Sequence, residues 1–176
     1  CMRLTVQLTA AQDVYFNYRQ LLSTGYRHDN CQFYMPGFWY RRNLRSPKKA
    51  PSFHTSDSWL VREDRLSAPL TGIFSEKEKR FMTVNRLDDF SMDALATHKE
   101  GEIILSGKTS LGFTGFENQQ GIAMLSFGFP YREAPKSYIR KLTLAPEVEA
   151  FQLMKKGESV LLTWEIMESG ADDFSD

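Results

Sequence analysis

Residues 2–8, Met2-Arg3-Leu4-Thr5-Val6-Gln7-Leu8, decide the fold class, because their side chains alternate between apolar and polar. Successive side chains of a strand point to opposite faces of a sheet, so this pattern predicts a strand with one face against an apolar core. Similar alternation recurs along the chain, whereas helical periodicity is scarce. The sequence therefore predicts a mostly β protein, an antiparallel β-sandwich (supersandwich-like) with little helix.

Further strands are predicted from the same pattern and from the polar turns between apolar segments. Three hairpins are expected: residues 70–74 with 80–84, 111–116 with 122–129, and 148–153 with 159–166. Single strands are expected at residues 59–62, 102–105 and 138–144, and a short helix within residues 88–98. Residues 13–22 are predicted either as a second strand or as part of a helix over residues 10–22.

The length and composition are those of a single globular domain. A chain of 176 residues, 41% of them hydrophobic, can bury a core without metal or disulfide staples. Lys plus Arg number 22 and Asp plus Glu number 22, so the formal net charge is zero. That balance argues against a nucleic-acid partner and against electrostatic docking on an anionic membrane, because both depend on excess positive charge.

Cysteine and histidine usage argues against a cofactor. The two cysteines, Cys1 and Cys31, do not make a disulfide framework, and no CxxC or paired-histidine spacing indicates a zinc site. No apolar run approaches the roughly 20 residues that a membrane helix needs. We therefore expect no cofactor, no metal site and no membrane span.

The two ends of the sequence are typical of a piece of a longer protein. Cys1 has the position of the lipidated cysteine in a mature bacterial lipoprotein, but strand-like alternation follows it at once, where a flexible polar tether is usual. We therefore prefer a boundary within a longer polypeptide over a lipid anchor. We expect residues 1–168 to form the sandwich, and the small acidic residues 169–176 to begin a linker to a missing C-terminal domain.

Residues 25–51 interrupt the strand pattern with prolines, arginines and a dense set of aromatic rings. Pro36-Gly37 predicts a turn within what we expect to be a long, ordered, irregular excursion. Trp and Tyr rings cover the apolar faces of sugars, while Arg and Asn donate hydrogen bonds to hydroxyls or to sugar carboxylates. The alternative is that rings enter the core and arginines pair with acids of another domain. The candidate carbohydrate-binding residues here are Tyr34, Phe38, Trp39, Tyr40, Arg41, Arg42 and Asn43.

A second polar stretch, residues 53–59, leads into a predicted strand. His54 and Asp57 have a spacing that allows proton transfer if the fold positions them, and Trp59 adds a ring beside them. These three residues join the candidate carbohydrate-binding set. The alternative is a local turn, in which the Ser, Thr and Asp side chains hydrogen-bond the nearby backbone.

The stretch Arg62-Glu63-Asp64-Arg65 contains adjacent carboxylates. Glycosidases hold two carboxyl groups on either side of a sugar, whereas neighbours along a strand point to opposite faces of the sheet. The flanking arginines therefore favour ion pairs over catalysis at these positions. We expect no catalytic residue in this chain.

Three segments carry a family resemblance. Residues 151–164, with Lys155-Lys156-Gly157-Glu158-Ser159 at their centre, resemble the end of galactose-mutarotase-like β-sandwiches. The hairpin of residues 70–74 and 81–84 is similar to the same group. The stretch Met35-Pro36-Gly37-Phe38-Trp39-Tyr40-Arg41-Arg42-Asn43 resembles a Pro-Gly-x-x-Tyr-x-x-Asn segment of glycosidase front domains.

The resemblance implies an accessory role. Such sandwiches usually precede the catalytic domain of glycoside hydrolases and polysaccharide lyases, which they support, and some lend a loop to the sugar cleft. We therefore expect a non-catalytic domain of a secreted bacterial protein, periplasmic or extracellular, with the C-terminal domain and an oligosaccharide as partners. An independent carbohydrate-binding module is the alternative. A complete small epimerase or lyase is a third, although the Glu base and His acids of related epimerases do not map onto His28, His54 and His98.

Overall fold

The structure, a computed structural model, describes the chain in eight ranges and gives backbone alone for residues 39–41, 101–103, 137–138 and 142–143. The ranges are residues 1–37, 39–41, 56–88, 101–105, 107–135, 137–138, 142–143 and 148–173. The strands are β1 (Met2–Thr9), β2 (Val14–Phe16), β3 (Tyr18–Arg27), β4 (Cys31–Met35), β5 (Trp39–Arg41), β6 (Ser58–Arg62), β7 (Leu70–Ser75), β8 (Arg80–Arg86), β9 (Gly101–Ile104), β10 (Phe113–Gln119), β11 (Ile122–Phe129), β12 (Arg132–Glu133), β13 (Ser137–Tyr138), β14 (Leu142–Thr143), β15 (Val148–Met154) and β16 (Ser159–Gly170). Short 3-10 turns occupy His28–Asn30 and Glu63–Arg65.

The strands form a β-sandwich, which confirms the predicted fold class. A six-stranded sheet has the order β1-β16-β8-β7-β4-β5, and a four-stranded sheet has the order β3-β11-β10-β6. A third, smaller sheet has the order β12-β15-β2, with β9 parallel to β15, and β13 pairs with β14. All other strand pairs in the described part of the chain are antiparallel.

The main core lies between the six-stranded and the four-stranded sheets. Trp164 of β16 packs against Phe127 of β11 with ring centroids 5.1 Å apart, and Phe33 of β4 meets Phe116 of β10 at 4.9 Å. Removing such rings from water is the main favourable contribution to folding. Each sheet therefore depends on the other for the burial of its inner face.

The N-terminal prediction is confirmed and the helical alternative for residues 10–22 is wrong. In β1, Leu4, Val6 and Leu8 are half-buried while the residues between them are exposed. Residues 10–22 hold β2 and the first half of β3, and β3 continues to Arg27. The irregular excursion predicted at residues 25–51 is also wrong in its first part, because β3 and β4 occupy it. Residues 36–37 form the predicted turn, with Gly37 at a φ of 77°.

Two of the three predicted hairpins are confirmed, and the third is wrong. Strand β7 pairs with β8 and β10 with β11, as expected. Strands β15 and β16 are not partners: β15 joins the small sheet, whereas β16 pairs with β1 and β8. The turn between them is fastened to the segment after β1, since Gly157 N–H donates to the Ala10 carbonyl and Ala10 N–H donates to the Glu158 carbonyl. The chain thus crosses between sheets at residues 155–158.

Two of the three predicted single strands are confirmed, as β6 and β9. Residues 138–144 contain the end of β13 and all of β14, two short strands that pair with each other. Most of the segment predicted to hold a short helix, from residue 89 to 98, lies outside the described residues. Strand β16 runs past the predicted domain boundary at residue 168, and Ala171 N–H donates to the Lys79 carbonyl. Among the described residues, no helix has the length and apolarity needed to cross a membrane.

A close backbone approach on β10 gives a stability prediction. A Cβ atom at Gly115 would lie 2.0 Å from the carbonyl oxygen of Trp59 and 2.9 Å from the Cα atom of Leu60. Because backbone atoms yield little, we expect Gly115→Ala to lower the free energy of unfolding by about 1–3 kcal/mol in urea denaturation. Gly107→Ala is the control, since nothing lies within 4 Å of that Cβ position. Equal unfolding midpoints for both variants would contradict the close approach.

Candidate functional site

The described part of the aromatic and basic segment predicted to bind sugar lies at one edge of the six-stranded sheet. Strands β4 and β5 form a hairpin in which Tyr34 pairs with Tyr40, Met35 with Trp39, and Phe33 with Arg41. Tyr34 is half-buried and its other in-register neighbour is Gly72 of β7. The side chains of Trp39, Tyr40 and Arg41 lie outside the description, as do the residues Phe38, Arg42, Asn43 and His54. The sugar-contact prediction for this segment therefore stays a prediction.

Trp59 lies in the main core with only 4% of its surface exposed, which corrects its assignment as a candidate sugar contact. Its indole N–H donates to the Ser56 carbonyl at 3.3 Å, and a ring held this way cannot stack on a ligand in solvent. Aromatic side chains serve cores as readily as binding surfaces, and residue type alone does not separate the two uses.

Asp57 belongs to a local turn, which was the alternative interpretation of residues 53–59. The Ser56 hydroxyl bonds the carbonyl of Ser58 at 2.8 Å and accepts from its N–H at 3.1 Å. Asp57 is exposed, and its carboxylate accepts from the Asn118 side-chain amide at 3.1 Å. The Asp57 carbonyl also accepts from Asn118 N–H at 2.8 Å. Asp57 thus fastens the start of β6 to the end of β10.

The hairpin and the Trp59 strand lie toward the same side of the sandwich. Phe33 of β4 packs against Phe116 of β10, and Phe116 pairs in register with Trp59 of β6. Strand β4, which begins the hairpin, therefore packs across the core from β10, the neighbour of β6.

The predicted ion pairs in residues 62–65 are confirmed. Arg62 holds Asp64 with two hydrogen bonds, Nε to Oδ1 at 2.5 Å and Nη2 to Oδ2 at 2.9 Å. Arg65 pairs with the buried carboxylate of Glu133 on β12. Burial raises the pKa of Glu133, and the Arg65 guanidinium opposes that rise. Arg62 and Arg65 thus connect β6 and the turn after it to Glu133 of β12, so these charges stabilise the fold.

Glu63 is the most deeply buried charged residue in this region. Its Oε2 accepts from Arg86 Nη1 at 2.6 Å and from Gly112 N–H at 2.7 Å. Burial raises the pKa of Glu63, and the Arg86 guanidinium and the Gly112 N–H oppose the rise. Arg86 also donates to the Ser110 carbonyl at 2.9 Å and lies over the Phe129 ring, 5.5 Å from its centroid. The pair is sealed from solvent, so no substrate could reach this carboxyl group.

Sequence reasoning missed a small crevice beside the small sheet. It has a volume of about 10 Å³, enough for about one water molecule. Glu149 on its wall accepts from the Asn17 side-chain amide at 3.0 Å and lies 3.6 Å from Arg132 Nη1. Pro130 and Tyr131 also line it. The three polar residues come from different parts of the sequence, so no local motif indicates them. The alternation of β15 was the one available signal, because it places Glu149 on the outer row of that strand.

The described residues contain no group of three or more His, Cys, Asp or Glu side chains placed to hold a metal ion. Cys1 and Cys31 are both free thiols. Burial raises the pKa of the Cys31 thiol to about 12, so it stays protonated at neutral pH.

Comparisons with known proteins leave the family open. No protein-family model matches this chain, no curated protein matches it, and no solved structure matches it.

The buried pair of Glu63 and Arg86 predicts strong energetic coupling. Glu63→Gln or Arg86→Met alone leaves a buried partner unpaired, so we expect each to lower the free energy of unfolding by about 3–5 kcal/mol. The double variant should lose clearly less than the sum of the two, as urea denaturation can measure.

The exposed pair of Arg80 and Glu168 is the matched control, because its Nε and Oε1 atoms are also close, at 2.7 Å. The same cycle there, with Arg80→Met and Glu168→Gln, should give a coupling much smaller than that of the buried pair, because solvent screens exposed charges. Additive losses at Glu63 and Arg86 would show that the two charges do not stabilise each other.

Proposed function

We propose that this chain is a non-catalytic accessory β-sandwich domain of a larger carbohydrate-active protein of the glycoside hydrolase or polysaccharide lyase type. One observation carries the non-catalytic part: within the described residues, the buried carboxylates are each paired with an arginine inside the fold. Glu63 pairs with Arg86, and Glu133 and Glu117 pair with Arg65 and Arg19. These acids act as cross-links between strands.

The chemistry of glycoside hydrolysis explains why such pairing matters. Glycosidases generally place one carboxylic acid and one carboxylate on either side of the scissile bond, both open to the sugar. Glu63, Glu117 and Glu133 are closed to solvent and engaged by guanidinium groups. Their positions suit a scaffold that holds its shape beside a separate catalytic domain.

The resemblance of three sequence segments to galactose-mutarotase-like sandwiches supports the carbohydrate part of the proposal, and so does the sandwich fold. The hairpin of β4 and β5 forms one edge of the six-stranded sheet. In this proposal an adjoining domain or an oligosaccharide contacts that edge. In this proposal the C-terminal domain of the same polypeptide is the main partner. The whole protein would work outside the cytoplasm, in the periplasm or the extracellular space, where polysaccharides are met.

The proposal predicts that the purified 176-residue chain has no turnover. We expect neither new reducing ends nor unsaturated uronates from a panel of neutral and acidic polysaccharides, while thermal unfolding confirms that the sample is folded. Product that scales with protein concentration and disappears after heat denaturation would overturn the non-catalytic role. It would favour a complete small enzyme instead.

The position of the hairpin at the edge of its sheet also suits an independent carbohydrate-binding module. The Trp39→Ala variant distinguishes that module from an accessory domain. An accessory domain should show the same retention as wild type in polysaccharide-containing native gels after this change. An independent module that uses the hairpin should lose most of its retention, about tenfold in affinity. Phe81→Ala, at a half-buried aromatic residue of β8, controls for general effects of removing a ring.

A further inference from the structure

We draw no further inference here: the strongest candidate, the apolar patch on the outer face of the small sheet where the exposed Tyr15 and Ile104 flank Leu153 and Phe151 of β15, carries no proposal because nothing in the structure shows what covers that face.

Discussion

The carboxylate of Glu63 and the guanidinium of Arg86 meet at the point where the two main sheets are joined. Glu63 directly follows β6 of the four-stranded sheet, and Arg86 ends β8 of the six-stranded sheet. Gly112, which donates its N–H to the same carboxylate, precedes β10. Removing two charges from water costs several kcal/mol per ion, and only close geometry with further hydrogen bonds offsets that cost. The pair therefore contributes to stability only while the sheets keep their relative position.

This use of charge shapes where function can reside. Arg65 with Glu133 and Arg19 with Glu117 also join a buried carboxylate to an arginine, so these acids act as cross-links between strands. Between the sheets, Thr71 and Thr114 share a hydrogen bond of 2.7 Å, and aromatic rings fill the remaining space. Side chains that could contact a partner therefore lie on the outer faces and along the edges of the sheets. An accessory domain that holds a partner or a glycan on its surface is consistent with that division.

Alternation predicted most strands but not all of their partners. Strand β1 and the pair of β7 and β8 follow directly from it, because a period of two marks a strand with one buried face. The same period does not say which strand lies alongside, so β15 and β16 were predicted as a hairpin although they belong to different sheets. Trp59 illustrates a second limit. A ring beside polar residues suggests a binding site, yet whether it enters the core depends on the facing sheet, which no local pattern encodes.

The crossing at residues 155–158 determines which strands lie beside β15. Had β15 paired with β16, its half-buried residues would have continued a face of the six-stranded sheet. Instead Asp13 accepts from Lys155 Nζ and Lys156 N–H, which holds the turn against the segment before β2. Strand β15 then lies between β2 and β9, and Tyr15 and Ile104 come to flank Leu153 and Phe151. Residues distant in sequence thus form a surface only through the sheet change, so it could be recognised only after the topology was known.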